Sequence, residues 1–475
     1  MNNLNFLVDV LKESPVFKTL EKNVKPGRTV CASGLSTINK SNIIYALCRL
    51  KGVTAFCLAS DEKEAQTLCN DLSCMGLRAY VYPVRDFNFL DFQSRSHEYE
   101  HARLKVLLKL INHECDVAIA CVDAAAQLTV PRNVLEQSVI EFEEGRELSL
   151  EKATKALTLL GYERFDAVEG SGQFSLRGGI LDFFMPDSDY PVRCEFWGDE
   201  ITDLSYFDIE TQRRFKKADK ITLSPSTEIV IEDRAALADK IEHKAKLLRS
   251  KNSAKAKEKL FSEAELIRSG AMIANADKFI NQIYDTPESL FDYLDRNTLV
   301  FASEFTAIQE RGKSMDFISN ETLMQGFEDG TLCRGFDRFA LTFNECTEFL
   351  QSHGTIVLEN FVHGSMPIKL SEIISFSTKQ LSAWGGSYKQ LKEDVDGLFT
   401  PESKGVIFAG TERAAKNLCD TFNADGINAV YSEGADKISK GELLVMQGAL
   451  SAGFEYPSQK FFAITYSQVS YVPKS

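Results

Sequence analysis

The chain has 475 residues, enough for about three domains at roughly 150 residues each. Its 54 Lys and Arg against 68 Asp and Glu give a formal charge of −14, which excludes a simple DNA-coating protein, because phosphate binding draws on counterions released by a positive surplus. Hydrophobic residues at 44% and aromatics at 10% exclude wholesale disorder.

The 11 cysteines are odd in number, follow no repeating spacing and form no C-x-x-C. That pattern fits thiols in a reducing cytoplasm, not a disulfide framework or a zinc ribbon. The N-terminal MNNLNFLVDVLKESPVF lacks the basic region and long apolar core of a signal peptide, and no apolar run is long enough to span a membrane. The expectation is a soluble, cytoplasmic protein.

From about residue 28 to 125, the apolar runs beginning at Thr29, Val53, Ala79 and Cys115 predict strands buried on both faces. Between them, NIIYALCRL, KEAQTLCNDL and HARLKVLLKL carry apolar residues at three- and four-residue spacing, as amphipathic helices do. This βαβα alternation predicts a parallel sheet with helices packed on it. From about Val134 to Phe215 the pattern becomes strand-rich. One helix starts at an N-cap Ser149 and closes at Gly161, with Leu150, Ala153, Leu157 and Leu160 on its buried face. GQFSLRGGILDFF and PVRCEFWGDEI then read as strands joined by the turn-rich MPDSDY. A long charged helical region follows, then strands in LVFAS and GTIVLENF, a polar linker, and a last α/β unit built on GVIFAG, INAVYS, ELLVMQG and FFAITYS. The expected units are an α/β domain over 1–126, an inserted α+β domain over 127–215, the second part of the first domain over 216–366 and a small α/β domain over 378–475.

Four motifs carry possible chemistry. Gly34 to Ser41, GLSTINKS, follows a strand and opens a helix, matching the phosphate-binding G-x-x-x-x-G-K-[ST] except that Asn39 replaces the second glycine. Without that glycine the loop backbone is hindered from pressing its N–H groups against a phosphate. Lys40 and Ser41 remain as phosphate and magnesium partners, but the metal-holding Asp expected at the end of LVFAS is Ser303, with Glu304 beside it. Two lesions in one site predict a dead nucleotide site. His97 to His101, HEYEH, matches the zincin motif, in which Glu98 would be the general base, but only His113 lies near as a third ligand, in a different turn. The plain reading is the charged first turn of a helix, and no metal is expected. The basic run from His243, HKAKLLRSKNSAKAKEKL, is read as the solvated face of a long helix. In PVRCEFWGDE, alternation sends Val192, Cys194 and Phe196 to the core and leaves Arg193, Glu195 and Trp197 on the outer face. Arg and Trp are the residue types that dominate protein–protein hot spots. Arg177, just before Gly178-Gly179, joins them if the glycines bulge the strand.

Residues 159–214 resemble the UvrB-homology module of the bacterial transcription-repair coupling factors. The resemblance rests on GYER, GQFSLRGGILDFF, PVRCEFWGDEI and FDIETQR. It extends along the chain through HEYEHARL, SLFDYLDRNTLVF, SAWGGSYKQLKED, AGTERAAKNL and GALSAGFEYP. It implies a degenerate RecA/helicase-like parallel-sheet domain split by an inserted α+β UvrB-like domain and followed by a small C-terminal α/β domain. It further implies a non-hydrolysing P-loop and a module that binds UvrA by mimicking UvrB, through the positions of Arg177, Arg193 and Trp197. Trp197 departs from the Phe that usually stands there. The family continues into a domain that binds RNA polymerase, a translocase that uses ATP and Mg on double-stranded DNA, and a C-terminal domain that masks the UvrA-binding face. With none of those motifs before Ser475, the chain is read as the N-terminal piece of such a factor, itself without cofactor. The rival reading is a P-loop NTPase of the helicase class acting directly on nucleic acid.

Overall fold

The computed structural model describes residues 3–86, 97–137, 140–249, 253–271, 273, 275–362 and 364–467. Residues 250–252 of the basic run and 468–475 of the last predicted domain lie outside the described residues. The body is a seven-stranded, all-parallel sheet in the order Glu372–Ser375, Val30–Ser33, Thr355–Leu358, Leu299–Ser303, Ala55–Leu58, Val117–Ala120, Ala79–Tyr82. Its central strands are buried on both faces, which is why they read as continuous apolar runs. Strands from both ends of the predicted split domain interleave in this one sheet, so the inserted module leaves the body as a loop would.

One strand of the sheet, Glu372–Ser375, falls inside the predicted polar linker. It pairs in parallel with Val30–Ser33 along the sheet edge, with Ala32 opposite Ile374. Its alternation of exposed and buried residues hides it from a search for apolar runs.

The inserted module is a six-stranded sheet in the order Arg214–Lys217, Glu200–Phe207, Val192–Trp197, Ile180–Phe183, Gln173–Arg177, Glu163–Arg164, antiparallel except for the last pair. The helix Leu150–Leu159 covers one face. Ser149 caps it by accepting from the Lys152 amide, Gly161 follows at φ +90°, and Ala153, Leu157 and Leu160 are buried. Arg214–Lys217 crosses the predicted boundary at 215, and Lys220–Leu223 returns to pair with Ile140–Glu143. Gly178 and Gly179 do not bulge a strand. They form the two-residue turn of a hairpin in which Arg177 pairs with Ile180, with Gly178 at φ +61°. A glycine in the first central position suits the primed turns that match strand twist.

A buried polar network ties module to body. Arg103, on the helix Glu98–Ile111, is wholly buried and donates from Nε to Glu228 (3.1 Å), while Arg85 Nε pairs with the other oxygen of Glu228 at 2.5 Å. Thr129 also donates to Glu228, and the Arg103 guanidinium lies 4.2 Å over the ring of Tyr82. Removing one partner of such a buried set leaves an uncompensated charge, worth roughly 3–5 kcal/mol.

The basic run from His243 is not one long helix. Arg234–Leu247 ends at an extended Leu248, and Ser253–Arg268 packs back against it, burying Leu237 and Ile241 with Leu260, Ala264 and Ile267. The last unit is a six-stranded mixed sheet in the order Lys379–Leu381, Gly453–Tyr456, Phe461–Thr465, Lys404–Phe408, Glu442–Met446, Ala429–Tyr431. One face carries its own helices, Tyr388–Leu398 and Glu412–Ala424. The other shares a core with the body, where Val406, Met446 and Phe461 join Leu7, Ile43 and Leu72. Asp71, its carboxyl pushed up to about 6 by burial, accepts from the amide and hydroxyl of Ser451 across that seam.

Candidate functional site: a filled phosphate loop and an open sheet face

The loop after Val30–Ser33 stands where a phosphate-binding loop should, and the helix Thr37–Lys51 follows it. Gly34 takes φ +79°, which a residue with a Cβ rarely adopts. Two amides at the start of the loop are already engaged: Gly34 N donates to the carbonyl of Asn360 (3.1 Å) and Leu35 N to that of Glu359 (3.1 Å). The segment after the edge strand closes over the loop. A Cβ built on Gly34 would sit 2.2 Å from the Phe376 carbonyl oxygen, and Thr378 Oγ1 donates to the Gly34 carbonyl at 2.6 Å. Asn39 does more than replace a glycine: it is fully buried and its Oδ1 accepts from Ser36 Oγ at 2.6 Å. Its neighbour Asn42 donates to the hydroxyl of Tyr456 in the last unit, at 2.8 Å.

Lys40, 2% exposed, reaches the end of the strand Leu299–Ser303. It donates to Ser303 Oγ at 2.9 Å and to Glu304 Oε1 at 2.6 Å. The sheet thus brings the two predicted lesions, at 39 and 303, to one apex, and Glu304 occupies the Lys40 ammonium that a phosphate would need. Glu304 holds this place at φ +54°, a left-handed conformation costly for a residue other than glycine. Its carboxyl is pulled down, burial being outweighed by Lys40 and by hydrogen bonds from Glu359 and Asn360. Glu359 behaves oppositely: buried, and beside the Glu304 charge, its carboxyl is pushed up to about 7. It accepts from the Phe305 amide at 2.8 Å. The sequence reading missed Glu359 and Phe376, which lie more than 300 residues from the loop they fill. Ser41, also buried, donates within its own helix to the Thr37 carbonyl (3.3 Å).

The zincin-like segment is spent on structure. His97 precedes the helix and bonds Glu100 through Nδ1 (3.1 Å), while His101 Nε2 meets the Ser226 carbonyl (3.0 Å) in the module. Burial pulls the His101 pKa down, which favours the neutral ring. Among the described residues no cluster of His, Cys, Asp or Glu is arranged to hold a metal.

The module's outer sheet face is built differently. Trp197, at the hairpin Val192–Trp197 to Glu200–Phe207, is 82% exposed. Arg177 is 52% exposed. Arg193 lies on the same face, as alternation predicts, but does not project freely: its side chain is only 13% exposed. It lies flat, 4.3 Å over the Phe207 ring, and donates from Nε and Nη2 to the two oxygens of Asp182, both at 2.8 Å. The Asp182 hydrogen bond is also the main reason the Arg193 pKa is raised. Asp182 itself is a residue the sequence reading passed over. Its signal was available, since the same alternation that faces Arg193 outward puts Asp182 opposite it across the strand pair.

Residues 140–229, which contain this face, match the family model of the UvrB interaction domain. Over 473 residues the chain is 26% identical to the transcription-repair-coupling factor of Bacillus subtilis, covering 97% of this chain and 40% of that protein. It is 25% identical over 406 residues to the factor of Staphylococcus epidermidis, covering 81% and 33%, and 22% identical over 473 residues to that of Staphylococcus aureus. The chain is thus similar, along most of its length, to transcription-repair coupling factors. It spans 33–40% of the length of these curated relatives. The module with its exposed Trp197 is therefore the part of this α/β protein that a named interaction domain covers, whereas the filled P-loop lies outside that match. No helix among the described residues is long and apolar enough to cross a membrane.

Proposed function

We propose that the chain is a recruitment module: its UvrB-like sheet face binds UvrA and brings nucleotide excision repair to RNA polymerase stalled at a lesion. The observation that carries this reading is the coincidence of the UvrB interaction domain match with a rigid sheet face bearing an exposed Trp197 and Arg177. An exposed aromatic and a guanidinium on one sheet face have the composition of binding hot spots. The chain itself works without nucleotide in this reading. Support comes from the apex of the large sheet, where Glu304 takes the Lys40 ammonium, Phe376 crowds Gly34, and the carbonyls of residues 359 and 360 take the amides of Leu35 and Gly34. ATP, Mg, RNA polymerase and double-stranded DNA belong, on the same reading, to further domains of the whole factor, a DNA translocase of the cytoplasm. One of those domains masks the UvrA-binding face until it is released. The net charge of −14 fits a part that handles another protein.

The test is capture of purified UvrA by the chain. Wild type is expected to bind, and a folded Arg177→Ala, Arg193→Ala double variant to lose that binding. Capture by the double variant at wild-type strength would overturn the assignment.

A further inference from the structure

Arg193 and Arg177 share one carboxylate, and it fixes what each can do. Asp182 sits in the middle of the sheet, paired with Ser175 on one side and Arg193 on the other, and is 1% exposed. It accepts two bonds from Arg193 and a third, at 3.1 Å, from Arg177 Nη2. Arg193 gives its remaining reach to Gln212, through the backbone carbonyl (3.0 Å) and Oε1 (3.1 Å), while Phe207 covers one face of the guanidinium. Four of the five N–H groups of a guanidinium are then committed inside the module. Arg177 spends one bond on Asp182 and keeps its other edge toward solvent.

We propose that Asp182 is the positioning residue of the docking face, aligning Arg177 as the cation that meets the partner and holding Arg193 as its support. This rests on the recruitment reading above and deepens it. Recognition then runs through two groups, the outer edge of Arg177 and the indole of Trp197. The partner surface must offer a carboxylate for the first and an apolar pocket for the second. A buried acceptor that holds a guanidinium in one rotamer spares the ordering cost a free Arg incurs on binding, which is how a residue that never touches the partner can set affinity.

A double-mutant cycle with purified UvrA tests this, read as Kd, with a melting curve for every variant. Asp182→Asn is expected to weaken UvrA binding about tenfold in the wild-type background and less than twofold in Arg177→Ala, because the role is exercised through Arg177. An equal loss in both backgrounds would show a general structural effect and overturn the proposal. Should Asp182→Asn fail to fold, Arg177→Lys takes its place: it keeps the charge on an exposed site but cannot bond Asp182 and a partner carboxylate with one rigid fork. About a tenfold loss is expected, and wild-type affinity overturns the proposal. If wild type itself does not bind UvrA, the recruitment reading falls and the positioning role with it. If Trp197→Ala loses affinity while Asp182→Asn and Arg177→Lys keep it, recruitment stands and only the positioning role is lost.

Discussion

The apex of the large sheet and the outer face of the inserted module both place cations against carboxylates, and they end in opposite states. At the apex, Lys40 is buried and turned inward onto Glu304 and Ser303, with the Phe376 carbonyl closing the loop above it. On the module, Asp182 anchors Arg193 and takes one bond from Arg177, whose other edge is left in solvent with Trp197. Local motif chemistry is better preserved at the apex, where GLSTINKS misses the phosphate-loop pattern by one residue. On the module it is exposed surface, Trp197 and one edge of Arg177, that stands out. The difference lies in how much of each cation the chain consumes: Lys40 is spent entirely inside, whereas Arg177 keeps an edge in solvent.

The largest expected effect breaks the filled state at the apex. Lys40→Ala leaves the Glu304 and Glu359 carboxyls without their ammonium, and unfolding in denaturant is expected to show a loss of about 3 kcal/mol. If stability is unchanged, Lys40 is not the counterion that closes this loop.

A smaller effect sharpens how the apex is held. The Glu359 carboxyl is raised to about 7 in the folded chain, above its ordinary value of 4.5, so the native state binds the extra proton between those pH values. Its contribution is therefore complete below about pH 4.5 and is lost as pH rises through about 7. Glu359→Gln imitates the protonated form: it can accept from the Phe305 amide and still donate to Glu304. The variant is expected to be more stable than wild type at pH 8, by on the order of 2 kcal/mol, and to match it near pH 4.5. The same advantage at both pH values would mean that the carboxyl does not titrate as described.

The smallest expected effect is none. A ligand bound only by the native state raises Tm, by about 2.7 kcal/mol of stability at a hundredfold excess over its Kd. Millimolar ATP with Mg is expected to leave the melting curve of wild type in place. A rise of several degrees would revive the reading as a P-loop NTPase.

Much of this comparison was legible in the sequence, though unevenly. The parallel strands at Val30, Ala55, Val117 and Leu299 announce themselves because burial on both faces demands unbroken apolar runs. The edge strand Glu372–Ser375 does not, since one side of it faces solvent and its apolar run is only Ile373 and Ile374. Alternation put Arg193 and Trp197 on one face correctly. It could not show that Arg193 lies down on Phe207, because that depends on the neighbouring strand, which carries Phe207 beside the turn holding Gln212. The defects at Asn39 and Ser303 are local and visible. The groups that fill the vacancy, Glu304 aside, arrive from residues 359 to 378 through the topology of the sheet, and a linear motif has no term for them.

Whether the module's open face is the working surface is decided by Trp197→Ala. The side chain is 82% exposed, so its truncation is expected to leave Tm unchanged. The Kd for purified UvrA is expected to weaken by roughly 30-fold, the equivalent of about 2 kcal/mol. Wild-type affinity in a variant with wild-type Tm would contradict the claim.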